Sequence, residues 1–167
     1  MILLPVIAYA LMVLLGRWLD LGWRRAMLQS AVFWGLLITA STELLSIPHW
    51  LERGPLAAAW LGAVLVGAGC LVVVARGRRA VLITAAPGFV SLTLDWPERL
   101  MLLAIAAICV AICIVAVTAP PNTWDAMEYH LPRVFFWMQN HGVQNYQTPD
   151  YAQLVFSPFA EFTMLQS

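Results

Sequence analysis

The sequence predicts an all-α integral membrane protein: about four transmembrane helices, then an external loop with a juxtamembrane amphipathic helix and the start of a further, truncated span. Three observations lead to this class. Of the 167 residues, 62% are hydrophobic and only 11% are charged, whereas soluble domains are about 45–50% apolar and about 25% charged. The apolar residues gather into runs close to the roughly 20 residues that cross a bilayer. Polar residues concentrate after position 117.

Four apolar runs are the predicted spans, and they cover residues 2–16, 26–47, 56–75 and 100–117. The first run is short, but it can extend into Trp18 and Leu19. It also lacks the basic residues that open a cleaved signal peptide. We therefore expect it to be a signal anchor whose N-terminus lies outside the cell.

Arginine positions predict the orientation, because all 9 basic residues are arginine. Arginines cluster between the first two spans and again between the third and fourth, whereas the loop between the second and third has only Arg53, offset by Glu52. The positive-inside rule assigns the arginine-rich loops to the cytoplasm, so everything after residue 117 is expected outside. The Arg-only, Ala-rich composition is typical of a bacterial source, and the expected location is the bacterial inner membrane with this region in the periplasm.

Residues 80–94 form an uncharged, fairly apolar segment that contains Pro87 and Gly88. The segment is about half to three-quarters of a span long, so we interpret it as an interfacial or re-entrant piece on the cytoplasmic side. A full crossing is the alternative, and it would turn Asp125 towards the cytoplasm. The chain then divides into an N-terminal transmembrane region, residues 1–99, and a second module, residues 100–167.

One carboxylate falls within an apolar run, since Glu43 lies near the outer end of the second predicted span. An ionisable residue inside a membrane is a functional candidate by default. So close to the interface, however, the same side chain can simply reach headgroup water. Both interpretations of Glu43 stay open at the level of sequence.

Beyond the fourth span, Pro120 and Pro121 end the membrane helix, and residues 124–141 have the pattern of an amphipathic helix. At 100° per residue its apolar side chains share one side, and Pro132 is expected to kink it. Such a helix beside a span is expected to lie in the plane of the membrane interface. The predicted apolar face comprises Trp124, Met127, Leu131, Val134, Phe135 and Met138.

The polar face of this helix carries Asp125, Glu128 and Tyr129, with Arg133 at its edge and His130 beside it. One interpretation is a solvated face that only anchors the loop. The other is a site at the membrane surface, in which a carboxylate acts as general base for an acceptor hydroxyl or amine while Arg or His binds a phosphate leaving group. Paired acids can also hold a divalent ion, but no spacing here specifies a metal, so no cofactor is predicted.

The remainder of the chain begins with Gly142, which we predict to end the helix as a C′ glycine. A polar loop containing Tyr146 follows, and then an apolar helix that begins near Phe156 and Pro158. The sequence ends after about half of a bilayer-spanning length. We therefore expect residue 167 to lie within an interrupted span of a longer protein.

Residues 120–165 resemble the first external loop of the GT-C superfamily of membrane glycosyltransferases. The nearest resemblance is to bacterial relatives of protein O-mannosyltransferases, the lipid A aminoarabinose transferase and the lipopolysaccharide-core galacturonosyltransferases. The Asp-Glu-x-x-Tyr motif of that family is matched by Asp125 and Tyr129, although Ala126 replaces its second acid. Gly142, Tyr146 and the Ser157-Pro158-Phe159 element follow in the order that the family has.

The resemblance implies transfer of a sugar from a polyprenyl-phosphate donor to a lipid, glycan or protein acceptor on the outer membrane face. Asp125 would be the catalytic residue that binds and activates the acceptor, and Tyr129 would shape the site. The substrate-binding candidates added by the helix projection and the loop are Glu128, His130, Arg133 and Tyr146. Since the family's phosphate-binding basic residues lie in segments without a counterpart here, this chain is not expected to catalyse the reaction alone.

Two other functions compete with the enzyme. A small non-catalytic membrane protein would use the external loop to bind a partner or act as a scaffold. A transporter fragment ranks last, because polar residues near the bilayer midplane are almost missing from the third and fourth spans. A nucleic-acid partner is not expected, since the net charge is +0 at pH 7 and such partners require a basic surface.

Overall fold

The computed structural model describes residues 3–78, 95–121 and 123–166, and this part of the chain is helical without a strand. Its first four helices are α1 (Leu3–Trp18), α2 (Trp23–Ser46), α3 (Arg53–Arg78) and α4 (Trp96–Thr118). Three of them, α2, α3 and α4, are long and apolar enough to cross a membrane. The described residues therefore contain three helices of the length and composition expected for a membrane protein. The remaining predicted span, residues 2–16, corresponds to α1, which is shorter: its 16 residues extend about 24 Å at 1.5 Å per residue. Residues 80–94 lie outside the described part.

The ends of α4 follow directly from its sequence. Asp95 is its N-cap and forms a reciprocal capping box with Glu98, with a proline in the first turn. The backbone N–H of Asp95 donates to Oε2 of Glu98 over 3.1 Å, which satisfies a donor that a helix start otherwise leaves unpaired. At the other end the helix stops at Thr118, just before two prolines that have no N–H to continue it.

α1 packs against both α2 and α3. The indole N–H of Trp34 donates to the carbonyl of Pro5 over 2.9 Å, and the ring centroid of Trp34 lies 6.4 Å from those of Tyr9 and Trp60. Near the opposite end of α1, an added Cβ on Gly16 would approach Ala26 Cβ to 3.1 Å. The N-terminal ends of α1 and α3 and the C-terminal end of α2 therefore lie together.

The chain after α4 forms a π-helical turn (Ala126–His130), α5 (Leu131–Asn140), α6 (Ala152–Val155) and α7 (Phe159–Leu165). These elements pack on the end of α2 that Ser46 occupies, because the N–H of Val143 donates to Ser46 Oγ over 2.8 Å. The N–H of Leu51 donates to the carbonyl of His141 over 3.1 Å. The loop after α4 is thus at the opposite end of α2 from Arg24 and Arg25.

Among the described residues, a buried cluster joins α1, α2 and α3 to the region after α4. A polar network crosses it: the indole N–H of Trp60 donates to Gln166 Oε1 over 2.7 Å, and Gln166 Nε2 donates to Thr42 Oγ1 over 2.8 Å. Because these polar groups are buried and satisfied, they fix α7 at one position between α2 and α3. The apolar members of the cluster are Ala8, Ile38, Leu51, Leu56, Trp60, Val134, Trp137, Phe162 and Leu165.

The predicted role of Gly142 is wrong, because the residue with left-handed backbone after α5 is His141, with φ 54°. Gly142 is needed for a different reason. A Cβ at this position would lie 3.2 Å from Ser46 Oγ and 3.3 Å from His49 Nδ1, so glycine lets the loop backbone approach the end of α2 without displacing these side chains.

Candidate functional site

The site begins with a π-helical turn caused by Pro132. Since proline has no N–H, the carbonyl of Glu128 four residues earlier has no helical donor. The N–H of Leu131 donates instead to the carbonyl of Ala126, five residues back. The free carbonyl of Glu128 accepts a hydrogen bond of 2.8 Å from Nε2 of Gln153. The expected kink is therefore a widened turn, and such turns occur frequently at functional sites.

Arg133 lies inside the loop region with 1% of its surface exposed. Its guanidinium donates to the carbonyls of Ala152, Gln153 and Phe156 over 2.7–3.1 Å, and so binds the backbone of α6 and its C-terminal end. It also donates to Oε1 of Glu161 over 2.7 Å. The predicted phosphate ligand Arg133 thus has most of its donors engaged within the chain.

Glu161 is the functional candidate that sequence reasoning missed. Its side chain is fully buried, and its Oε1 lies 2.7 Å from the Arg133 guanidinium and 3.1 Å from Nδ1 of His130. Within the described ranges its Oε2 has no hydrogen-bond partner. The signal was present, because a carboxylate within the apolar run of residues 158–165 is a functional candidate in a membrane protein.

Tyr129 and His130 extend this cluster towards solvent. The two rings have centroids 4.1 Å apart, and the Tyr129 ring lies 5.1 Å from that of Phe156. Partial burial raises the pKa of Tyr129 above its ordinary value of 10.0, the charges of Asp125 and Glu161 raise it further, and Arg133 opposes them. The Tyr129 phenol is therefore a hydrogen-bond donor at neutral pH, suited to an oxyanion or a sugar oxygen.

The predicted catalytic residue, Asp125, is exposed in the first turn of the helix. Thr123 Oγ1 accepts a hydrogen bond of 3.3 Å from the N–H of Ala126, so Thr123 caps the helix and leaves the Asp125 carboxylate available to a ligand. Glu128 is half-buried, and its backbone carbonyl accepts the hydrogen bond from Gln153. Residues 3–78, 95–121 and 123–166 contain no group of three metal-ligating side chains.

Tyr146 reaches the cluster through Gln153. Its hydroxyl donates to Gln153 Oε1 over 2.7 Å, as does the Thr148 hydroxyl over 3.0 Å. The Tyr146 ring stacks on Phe136 with centroids 3.7 Å apart, and partial burial raises the pKa of its phenol. The structure therefore joins the predicted site residues His130, Arg133 and Tyr146 through two residues, Glu161 and Gln153, that the sequence analysis did not select.

The apolar residues of this helix do not all pack inward. Val134 is buried, whereas Trp124, Met127, Phe135 and Met138 are exposed at 76%, 59%, 63% and 50%. The π-helical turn shifts the phase between the two halves of the helix, so a projection at 100° per residue fails across it. The outward apolar surface lies a few residues beyond the end of α4, as a helix at a membrane interface requires.

The described residues form an all-helical fold with three helices long and apolar enough to cross a membrane, and a polar cluster packs against the C-terminal end of α2. No protein-family model, no curated protein and no solved structure matches the chain.

Proposed function

We propose that this chain supplies the acceptor-side loop of a polytopic membrane glycosyltransferase. The enzyme would move a sugar from a polyprenyl-phosphate donor to a lipid, glycan or protein acceptor, on the periplasmic face of a bacterial inner membrane. The observation that carries the proposal is the exposed Asp125 carboxylate, one helical turn before Tyr129 and beside the Glu161–His130–Arg133 cluster. The resemblance of residues 120–165 to the GT-C loop supplies the reaction class.

In this proposal Asp125 is the general base. It accepts the proton of the acceptor hydroxyl or amine as the acceptor oxygen or nitrogen bonds to the anomeric carbon of the sugar. The bond between that carbon and the phosphate oxygen breaks, and its electron pair leaves with the polyprenyl phosphate. The protonated Tyr129 donates a hydrogen bond to a substrate oxygen, and Glu128 lines the same face.

The roles of the two basic residues differ. His130 keeps 24% of its side chain exposed, so its ring remains available to a phosphate oxygen. Arg133 is buried and bonded within the loop, and we assign it a positioning role. It fixes α5, α6 and α7 against one another and so holds Asp125 and Tyr129 in place. Tyr146 extends the substrate-binding surface through its contact with Gln153.

The test is a chromosomal Asp125→Asn variant, analysed in the cell in which the protein occurs. Envelope lipids, glycans and proteins are compared by mass spectrometry, together with the pool of polyprenyl-phosphate sugars. We expect one glycosylated product to disappear and its lipid-linked donor to accumulate, since Asn has the size of Asp but accepts no proton. Loss of a general base lowers rates about 10²–10⁴-fold.

Asp95→Asn is the matched control, because Asp95 caps α4 away from the loop and Asn caps helices equally well. Equal membrane levels of both variants separate catalysis from folding. An unchanged product in Asp125→Asn cells means that Asp125 is not the base.

A scaffold protein is the second candidate, and the exposed side chains of Trp124 and Phe135 favour it. Its loop would bind a partner through this apolar surface. A scaffold tolerates Asp125→Asn but loses its partner when Trp124 or Phe135 is changed to Ser, whereas the glycosyltransferase shows the stronger loss with Asp125→Asn. Co-purification of the crosslinked complex from the two sets of variants distinguishes the two functions.

A further inference from the structure

A cavity of about 210 Å³ lies between the outer part of α2 and the loop region. α2 contributes Glu43, α5 contributes Arg133 and Trp137, and the following segments contribute Asn145, Phe156 and Phe162. It combines a carboxylate, an amide and aromatic rings. Asp125 and Tyr129 do not line this cavity, although Arg133 and Gln153 contact both regions, and the proposed glycosyl transfer assigns no role to Glu43.

The charges around the cavity favour a cation. In the part of the chain that the structure describes, no basic side chain pairs with the Glu43 carboxylate. The nearby positive charge of Arg133 is already neutralised by Glu161, whose Oε1 lies 2.7 Å from the guanidinium. The net charge of the lining is therefore negative, and its exposed carboxylate is that of Glu43.

The cavity also offers hydrogen-bond donors. Trp137 is 5% exposed, and its indole N–H finds no acceptor among the residues with described positions. A buried N–H without an acceptor is costly. The exposed amide of Asn145 is a second donor in the lining. A ligand that fits both properties carries an ammonium group and, a few bonds away, oxygen atoms that accept hydrogen bonds.

We propose that this cavity binds the ethanolamine phosphate headgroup of a membrane lipid, with the ammonium group on Glu43 and the phosphate oxygens on the exposed amide of Asn145. The position of the cavity favours a lipid over a soluble ligand. Glu43 lies one turn before the end of an apolar helix long enough to span the bilayer, the depth at which headgroups lie. Leu154 and Phe156, exposed at 40% and 54%, provide the adjoining apolar surface for the glycerol and acyl region.

The experiment measures which lipid the full chain retains. The protein is reconstituted in nanodiscs of equal parts phosphatidylethanolamine and phosphatidylglycerol, released into the gas phase, and its bound lipids are identified by native mass spectrometry. The two lipids share the phosphate and differ in the ammonium group. We expect phosphatidylethanolamine to be retained about two- to fivefold over phosphatidylglycerol, since Glu43 is exposed and an exposed ion pair contributes only modestly to binding.

Glu43→Gln keeps the shape of the side chain and removes its charge. The ratio of retained phosphatidylethanolamine to retained phosphatidylglycerol should therefore fall to near one. Glu52→Gln is the matched control, because Glu52 is an exposed acid beyond the end of α2 and does not line the cavity. Its preference should equal that of the native chain. Soluble phosphoethanolamine is added in a third arm, and release of the lipid by millimolar amounts would assign the recognition to the headgroup alone.

The binding measurement requires no turnover, so its outcome is independent of the role proposed for Asp125. Equal retention of the two lipids by the native chain overturns the proposal. So does a preference that survives in Glu43→Gln.

Discussion

Arg133 is the residue whose position changes its interpretation most. In the sequence it is a basic residue at the edge of a polar helix face, a pattern that predicts a phosphate ligand. In the structure it is 1% exposed and bonded to three carbonyls and to Glu161. The sequence pattern does not contain this information, because the partners lie 19–28 residues away along the chain. Spacing within one helix predicts only which side chains share a face.

Arg133→Met should destabilise the loop by about 3–5 kcal/mol, since it leaves the buried Glu161 charge without its partner. The double variant Arg133→Met with Glu161→Leu should recover part of this loss, because it removes both charges. Thermal unfolding in mild detergent, followed by circular dichroism, provides the comparison. A double variant less stable than Arg133→Met would contradict the assignment of the cost to the unpaired carboxylate.

Tyr129 reports directly on Asp125. Its pKa is raised first by partial burial and next by the Asp125 charge, so Asp125→Asn should lower it. Phenolate absorbance is titrated for the native protein and for Asp125→Asn, each with and without the Tyr129→Phe substitution. The difference within each pair gives the titration of Tyr129 alone. Because the raised pKa belongs to the folded state, the associated stability is present below pH 10 and is lost as pH rises through the folded pKa. An unchanged titration would mean that the two side chains do not interact.

At the scale of elements, the interfacial helix shows where periodicity stops being reliable. Its existence and approximate extent follow from the sequence, but its phase does not, since the turn before Pro132 is widened to a π-helical one. Val134 is buried and Phe135 is exposed, although the projection assigns both to one face. The hydrogen bond from Gln153 to the Glu128 carbonyl supplies the donor that Pro132 lacks, and this long-range contact is not visible in the helix periodicity.

Pro132→Ala should convert the widened turn towards a regular α-helix. Alanine supplies the missing N–H, which competes with Gln153 for the Glu128 carbonyl, a hydrogen bond with a net value of about 0.5–1.5 kcal/mol. Hydrogen exchange measured by mass spectrometry should be slower in residues 126–132 and several-fold faster in residues 148–156. Pro97→Ala is the control, because Pro97 occupies the first turn of α4. A backbone N–H in the first turn has no acceptor within the helix, so a proline there removes no helical hydrogen bond.

The junction between the loop and α2 depends on Gly142. An alanine there would bring its Cβ within 3.2–3.3 Å of Ser46 and His49, and such overpacking costs about 1–3 kcal/mol. We expect Gly142→Ala to lower the unfolding temperature and to speed proteolysis of the loop. Gly62→Ala is the counterpart, since a Cβ on Gly62 meets nothing within 4 Å; alanine there should be neutral or stabilising. Equal effects of the two substitutions would contradict the close approach.

At the scale of the whole molecule, the long apolar helices were predictable because the bilayer fixes their length and composition. The three longest begin and end within a few residues of the predicted runs. Their packing was not predictable, since the contacts that attach α7, such as Gln166 with Trp60 and Thr42, join residues more than a hundred positions apart. The sequence likewise predicts Asp125 as an accessible carboxylate but contains no pattern that links it to Glu161.

The final prediction concerns the sides of the membrane. α2 has 24 residues, about 36 Å at 1.5 Å per residue, with Arg24 at one end and the loop at the other. In a background with the three cysteines changed to serine, a membrane-impermeant maleimide applied to spheroplasts should label Gln144→Cys at once. It should label Arg24→Cys only after lysis, because arginine-rich ends stay in the cytoplasm. The reverse pattern would place Asp125 in the cytoplasm and remove the outer-face acceptor, whereas labelling of both cysteines before lysis would mean that α2 does not cross the membrane.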